Sequence, residues 1–181
     1  ATAWLSWKAS QGSSGITISS DNVALDLNGF VLAGDGTAGY GIVASGTRKR
    51  ICVQNGFVRN WGYTGIHLAS ADYSRYERLC ITSNGVFMTS SGIEAGKGCI
   101  IEACISEGNT GSGIYAQEDC VISRCVAANN ATQGIEAGKG CTISRCTAFG
   151  NDSSGITAES SVIEHCATYT NLANGITCGN G

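Results

Sequence analysis

Two glutamates, Glu94 and Glu136, stand at the same place in two copies of the heptapeptide GIEAGKG, and Tyr115 holds that place in the related stretch between them. Carboxylates flanking a tyrosine are groups that proton-transfer chemistry uses. If each stretch stacks on the next at the ~4.8 Å spacing of neighbouring strands, the two carboxylates lie ~9.6 Å apart, at the upper edge of the separation used by inverting glycosidases. The plainer reading is duplication, two solvated glutamates repeated because their surroundings repeat. Glu94, Glu136 and Tyr115 are therefore candidates only, and no catalytic residue is assigned. His67 has no obvious carboxylate partner and reads as a surface residue. His165 aligns with Arg124 and Arg145 and reads as a solvated turn position. The stretch ASADYSRYERLC, with Tyr73, Arg75, Tyr76 and Arg78, suits a sugar-binding loop or a long turn covering one edge.

The ten cysteines fall into sets. Cys104, Cys125, Cys146 and Cys166 recur at one place in the repeating stretches and Cys99, Cys120 and Cys141 at another, while Cys52, Cys80 and Cys178 stand apart. Cysteines stacked in register carry parallel Cβ vectors, which suit disulfide geometry poorly, and one set has an odd count. Free buried thiols acting as small apolar fillers are the expectation. No Cys-x-x-Cys pair occurs and the sets face a dry core, so neither a metal nor another cofactor is expected. Asn109, Asn130, Asn151 and Asn171 each lie four residues before a Gly-Ile glycine, an offset that never changes. Stacked side-chain amides at such a place share hydrogen bonds while holding a turn. Asn130 and Asn151 also match the glycosylation sequon, but an inward ladder amide cannot carry a glycan.

The elements that must position these residues follow from the repeat. Gly-Ile recurs with its glycine at Gly15, Gly41, Gly65, Gly92, Gly113, Gly134, Gly155 and Gly175, at intervals of 20 to 27 residues. Such a period is the mark of a solenoid, whose units bury their apolar faces only by stacking. Within one unit the pattern alternates with period two: Ile93 and Ala95, then Cys99 and Ile101, then Cys104 and Ser106, then Asn109 point inward, with Glu94, Glu102 and Glu107 outward. That makes three short strands per coil and no 3.6-residue stripe. The expected fold is an all-β parallel β-helix of about eight coils, one domain over residues 1–181, with longer irregular coils in 1–91, regular ones in 92–181 and no obvious caps.

In the amino half, NVALDLNGFVLAG is answered by RICVQNGFVRNWG and more loosely by RLCITSNGVFMTS, so Asn28-Gly29-Phe30 and Asn55-Gly56-Phe57 are equivalent turns. Here the sequence resembles the right-handed parallel β-helix repeat proteins of the pectate-lyase-like superfamily, particularly bacterial members whose first coils read like GITISSDNVALDLNGFVLAG. The resemblance implies the fold and its hand across essentially the whole chain. For activity it implies a wide range, from polysaccharide lyases, hydrolases and epimerases to tailspikes and adhesins. It also implies that catalytic groups, where present, sit on the outer face of the first strand of each coil. That face reads Thr17, Val43, His67, Glu94, Tyr115, Glu136, Thr157 and Thr177. Without Asp, Arg or Lys in the row, a calcium-dependent lyase is disfavoured. Only Thr157 and Thr177 are neighbouring threonines, with Thr17 isolated at the other end of the row, which removes an ice-binding array.

A net charge of −3 with 14% charged residues gives no basic stripe for nucleic acid. No run reaches the ~18 apolar residues of a membrane helix. Ile100, Val121 and Thr142, with Ile105, Val126 and Thr147, form modestly apolar outward stripes suited to lateral contact. The seven residues from Gly175 to the end and the fourteen before Gly15 together make one regular coil. End-to-end self-association is therefore expected, with Trp4, Trp7, Ile176 and Cys178 at the junction. The leading expectation is a structural subunit of a head-to-tail filament or scaffold, extracellular or on the cell surface. The alternative is a carbohydrate-active or carbohydrate-binding β-helix with a polysaccharide partner.

Overall fold

The computed structural model describes residues 12–37, 39–86 and 90–179. Eight strands stack in parallel into a first sheet: Ile16–Ile18, Ile42–Ala44, Ile66–Leu68, Ile93–Ala95, Ile114–Ala116, Ile135–Lys139, Ile156–Glu159 and Ile176–Gly179. Because side chains alternate along a strand, the isoleucine that opens each of these strands and the residue two further on face inward. Ile42, Ile66, Ile93, Ile114, Ile135 and Ile156 are all 0% exposed. The remaining strands form a twelve-stranded second sheet and a two-stranded piece, Arg48–Lys49 with Ala71–Asp72. Every strand pair is parallel, each strand bonding to its counterpart one coil away. The described residues thus make seven complete coils and the first strand of an eighth, slightly fewer than eight full coils.

Three short strands per coil hold from Ile93 onward. In two earlier coils the second and third strands run together as Cys52–Arg59 and Arg75–Thr82. The bend survives inside them, because Asn55 and Arg78 take positive φ of 58° and 50°. The same corner is made by Ala103, Arg124, Arg145 and His165, with φ between 53° and 55°. A left-handed alanine or arginine costs roughly 1–2 kcal/mol, so the stacked coils must impose this corner on residues that would not choose it alone.

The glycine of each Gly-Ile is required by close approach. A Cβ on Gly134 would stand 2.6 Å from the Gly155 carbonyl oxygen and 2.7 Å from the Asn151 amide. No side chain fits there without parting the coils.

The asparagine ladder runs one rung further than its fixed offset indicates. Asn84 Nδ2 donates to Asn109 Oδ1 at 3.0 Å, Asn109 to Asn130 at 3.0 Å, Asn130 to Asn151 at 3.0 Å and Asn151 to Asn171 at 2.9 Å. Each Oδ1 also accepts the backbone N–H of the preceding rung, and the Trp61 N–H closes the stack on Asn84 at 3.2 Å. Asn84 escapes the sequence pattern because residues 85–91 lengthen its distance to Gly92.

All ten cysteines are free. Those at Cys99, Cys120 and Cys141 do more than fill space. The Cys99 N–H donates to Cys120 Sγ at 3.3 Å and the Cys120 N–H to Cys141 Sγ at 3.4 Å. Serines serve at both ends, with Ser74 Oγ accepting the Ile51 N–H and Ser161 Oγ the Cys141 N–H, each at 3.0 Å. In the other set, Cys104, Cys125, Cys146 and Cys166 donate to carbonyls, as Cys125 does to Ser123 at 3.3 Å. Hydrogen bonds to Cys104 and Cys146, reinforced by burial, push the Cys125 thiol well above its ordinary pKa. A thiol titration in denaturant without reductant is expected to count close to ten, and a count near zero would refute free thiols.

Candidate active site on the outer face of the first sheet

Register alone builds the site. Thr17 pairs with Val43, Val43 with His67, His67 with Glu94, Glu94 with Tyr115, Tyr115 with Glu136, Glu136 with Thr157 and Thr157 with Thr177. All eight side chains stand in one outward row because each occupies the second position of a first strand. A second column flanks the row, made of the residue before each Gly-Ile glycine, and it reaches the row one coil further on. Tyr40 stacks on the His67 ring with centroids 4.4 Å apart and planes 17° off parallel. Thr64 Oγ1 donates to Glu94 Oε1 at 2.8 Å. Ser112 Oγ donates to Glu136 Oε2 at 2.8 Å.

His67 is not the lone surface histidine that its sequence neighbours suggest. Its Nδ1 is hydrogen-bonded to Glu94 Oε2, across one coil rise. Burial alone would raise the Glu94 carboxyl. Hydrogen bonds from His67 and Thr64, then the charge of His67 and the Ser91 backbone, outweigh it and hold the group below the ordinary carboxylate value. An ionised carboxylate only accepts, so Nδ1 carries the proton of the hydrogen bond, and the tautomer that Glu94 selects leaves Nε2 as the position of any lone pair on the ring. Nε2 has no hydrogen-bond partner among the described residues. Burial, the Glu94 charge and Tyr63 together raise the Tyr40 phenol, which stays protonated beside the imidazole.

The pair Glu94 and Glu136 lies two coils apart with Tyr115 between, but Glu94 does not suit the acid half of an inverting glycosidase. That role needs a raised pKa, and Glu94 is held ionised with both oxygens engaged. Because its folded pKa lies below its unfolded one, Glu94 contributes stability above the ordinary glutamate range, and this is lost as pH falls through the folded value. Glu94→Gln is expected to flatten part of the acid loss in a urea-midpoint series taken from neutral pH downward. An unchanged series would contradict the pairing.

A groove of about 400 Å³ opens beside this row, lined among others by Glu94, Ser112, Tyr115, Thr132, Gln133 and Glu136. Other sequence candidates lie elsewhere. Tyr73 is 63% exposed and Tyr76 is fully buried in the core. Arg75 pairs with Glu77, and Arg78 Nε donates to Asn55 at 2.7 Å. The stretch from Arg75 is thus strand, not a sugar-binding loop. Ile176 and Cys178 are exposed in the last strand of the first sheet, while Trp4 and Trp7 lie outside the described residues. Among the described residues no cluster of three or more His, Cys, Asp or Glu is placed to hold a metal, and no helix is long and apolar enough to cross a membrane.

A family model described as a right-handed beta helix region matches residues 14–172. The chain belongs to that family, and its coils wind right-handed. Among solved structures, the A-module of the mannuronan C-5 epimerase AlgE6 of Azotobacter vinelandii is similar at 13% identity and a TM-score of 0.68, over 96% of this chain and 61% of the module. The AlgE4 A-module of the same organism matches at 15% identity and 0.60, over 92% and 59%. Pectate lyase Pel9A matches at 13% and 0.59, over 98% and 67%. The chain thus spans about 60% of the length of the epimerase modules. At these identities the likeness is one of fold. A search of curated proteins returned no match.

Proposed function

We propose that the protein is a carbohydrate-active β-helix. A glycan lies along the outer face of the first sheet, and His67, oriented by Glu94, takes a proton from the sugar or from a water attacking it. The observation that carries this reading is the His67–Glu94 pair, an imidazole held at Nδ1 by a glutamate that itself lines a polar groove. Exposed Tyr63 and Tyr115 supply ring faces of the kind sugars stack on. The names of the similar structures, two epimerases of mannuronan and a lyase of pectate, support a polysaccharide partner. A protein with such a partner is expected outside the cell or at its surface. Among the described residues no observation favours the head-to-tail filament.

The test is a panel of mannuronan, pectate, mannan and galactan, read for new reducing ends, unsaturated ends and changed sugar configuration. Turnover of one polymer that vanishes in Glu94→Gln supports the reading. No binding and no turnover on any of them would overturn it.

A further inference from the structure

We infer that the groove beside Tyr115 is a binding site for the hydroxyl groups of a neutral sugar, and that it disfavours a sugar carrying its own carboxylate. The inference rests on the glycan reading above and narrows it to a substrate class.

Tyr115 stands between two acidic neighbours, Glu94 one coil before and Glu136 one coil after. Glu94, its oxygens engaged by Thr64 and His67, lines the groove as an acidic side chain. Glu136 accepts the Ser112 hydroxyl on Oε2, and its Oε1 has no partner among the described residues. A carboxylate oxygen left open in this way accepts sugar hydroxyls strongly, because the hydrogen bond is charge-assisted. Thr132 and Gln133 on the rim bring further donors and acceptors, with Ser112 Oγ 3.1 Å from the Thr132 hydroxyl. The Tyr115 ring, 36% exposed, offers an apolar face to the C–H side of a pyranose.

No Lys or Arg is among the described residues that line the groove. On the far side of Tyr115, Lys97 is held by Glu118 at 2.6 Å, and Lys139 stands with Glu118 and Glu159 around it. Lys97 is thus paired, and both lysines lie outside the lining of the groove. A uronate seated in the groove would bring a third carboxylate to the two that line it, on a face that no Lys or Arg lines. The polymers named for the similar folds, mannuronan and pectate, are both acidic, so this groove departs from what those names suggest.

The experiment titrates the protein with two matched pairs of hexasaccharides, mannose against mannuronate and galactose against galacturonate, by calorimetry at low and high salt. Within a matched pair, the neutral member is expected to bind on the order of tenfold tighter, as one like charge about 5 Å away at an effective dielectric near 40 would produce. Glu136→Gln should narrow that gap, and Tyr115→Ala should weaken neutral binding about tenfold. Tighter binding of both acidic members, weakened by salt, would overturn the neutral-sugar inference while leaving the glycan reading in place. Absence of binding by all four would overturn both.

Discussion

Replacing His67 with Gln is expected to cut turnover of a responsive polysaccharide by about a hundred- to ten-thousand-fold, the range that one general acid or base contributes. The fold should be indifferent, because the side chain stands on the outer face and is 32% exposed. Gln retains an amide N–H for Glu94 but has no nitrogen lone pair with which to take a proton. Thermal unfolding unchanged beside lost turnover would assign the effect to chemistry. Thr64→Val removes only the hydroxyl that donates to Glu94 Oε1. As a positioning change it should cost less, and it should shift the pH profile of turnover rather than abolish it. A His67→Gln protein as active as the parent would leave the pair a structural contact.

Asn130→Ala is expected to lower stability by about 3–5 kcal/mol, a large share of the 5–15 kcal/mol typical of a folded domain. Asn130 Oδ1 accepts from both the N–H and the amide of Asn109, and its own amide donates to Asn151 Oδ1 and to the Ser106 carbonyl. Alanine would strand these groups in a site 1% exposed. Water cannot replace them without opening the coil. At the half-buried end of the ladder, Asn171→Ala should cost about 1 kcal/mol, since solvent can reach the orphaned groups. Urea unfolding of the two variants side by side reads the difference. Equal losses would mean that the ladder does not act through buried hydrogen bonds.

The row that positions the site is legible in the sequence, because the residue two after each Gly-Ile glycine is fixed by register once the coils stack. His67 follows Gly65 and Glu94 follows Gly92 by that same step, so their adjacency is already implied. The histidine looks unpartnered only when partners are sought along the chain, whereas in a solenoid the near neighbour is one coil away. The flanking column was legible by the same logic. Tyr40, Thr64 and Ser112 each precede a glycine of the repeat, but their types differ too much for composition to signal a shared role. What the pattern hides is geometry that depends on side-chain reach, such as Tyr40 lying flat on His67. Merged strands were also hidden, since the pairing skips the corner at Asn55 and Arg78 and resumes beyond it in the same register. Tyr76 misleads for a related reason: aromatic and arginine residues that read as a surface loop alternate inward and outward once they form a strand.

We place the meeting of a glycan with the His67–Glu94 pair on the outer face of the first sheet. The most direct test of this placement is residue-resolved NMR of the labelled protein during titration with a mixture of the mannose and mannuronate hexasaccharides. Shifts centred on His67, Glu94, Tyr115 and Glu136, with the outward stripe of Ile105, Val126 and Thr147 on the second sheet unmoved, are the predicted result. Shifts centred on that stripe, or none at saturating sugar, would contradict it.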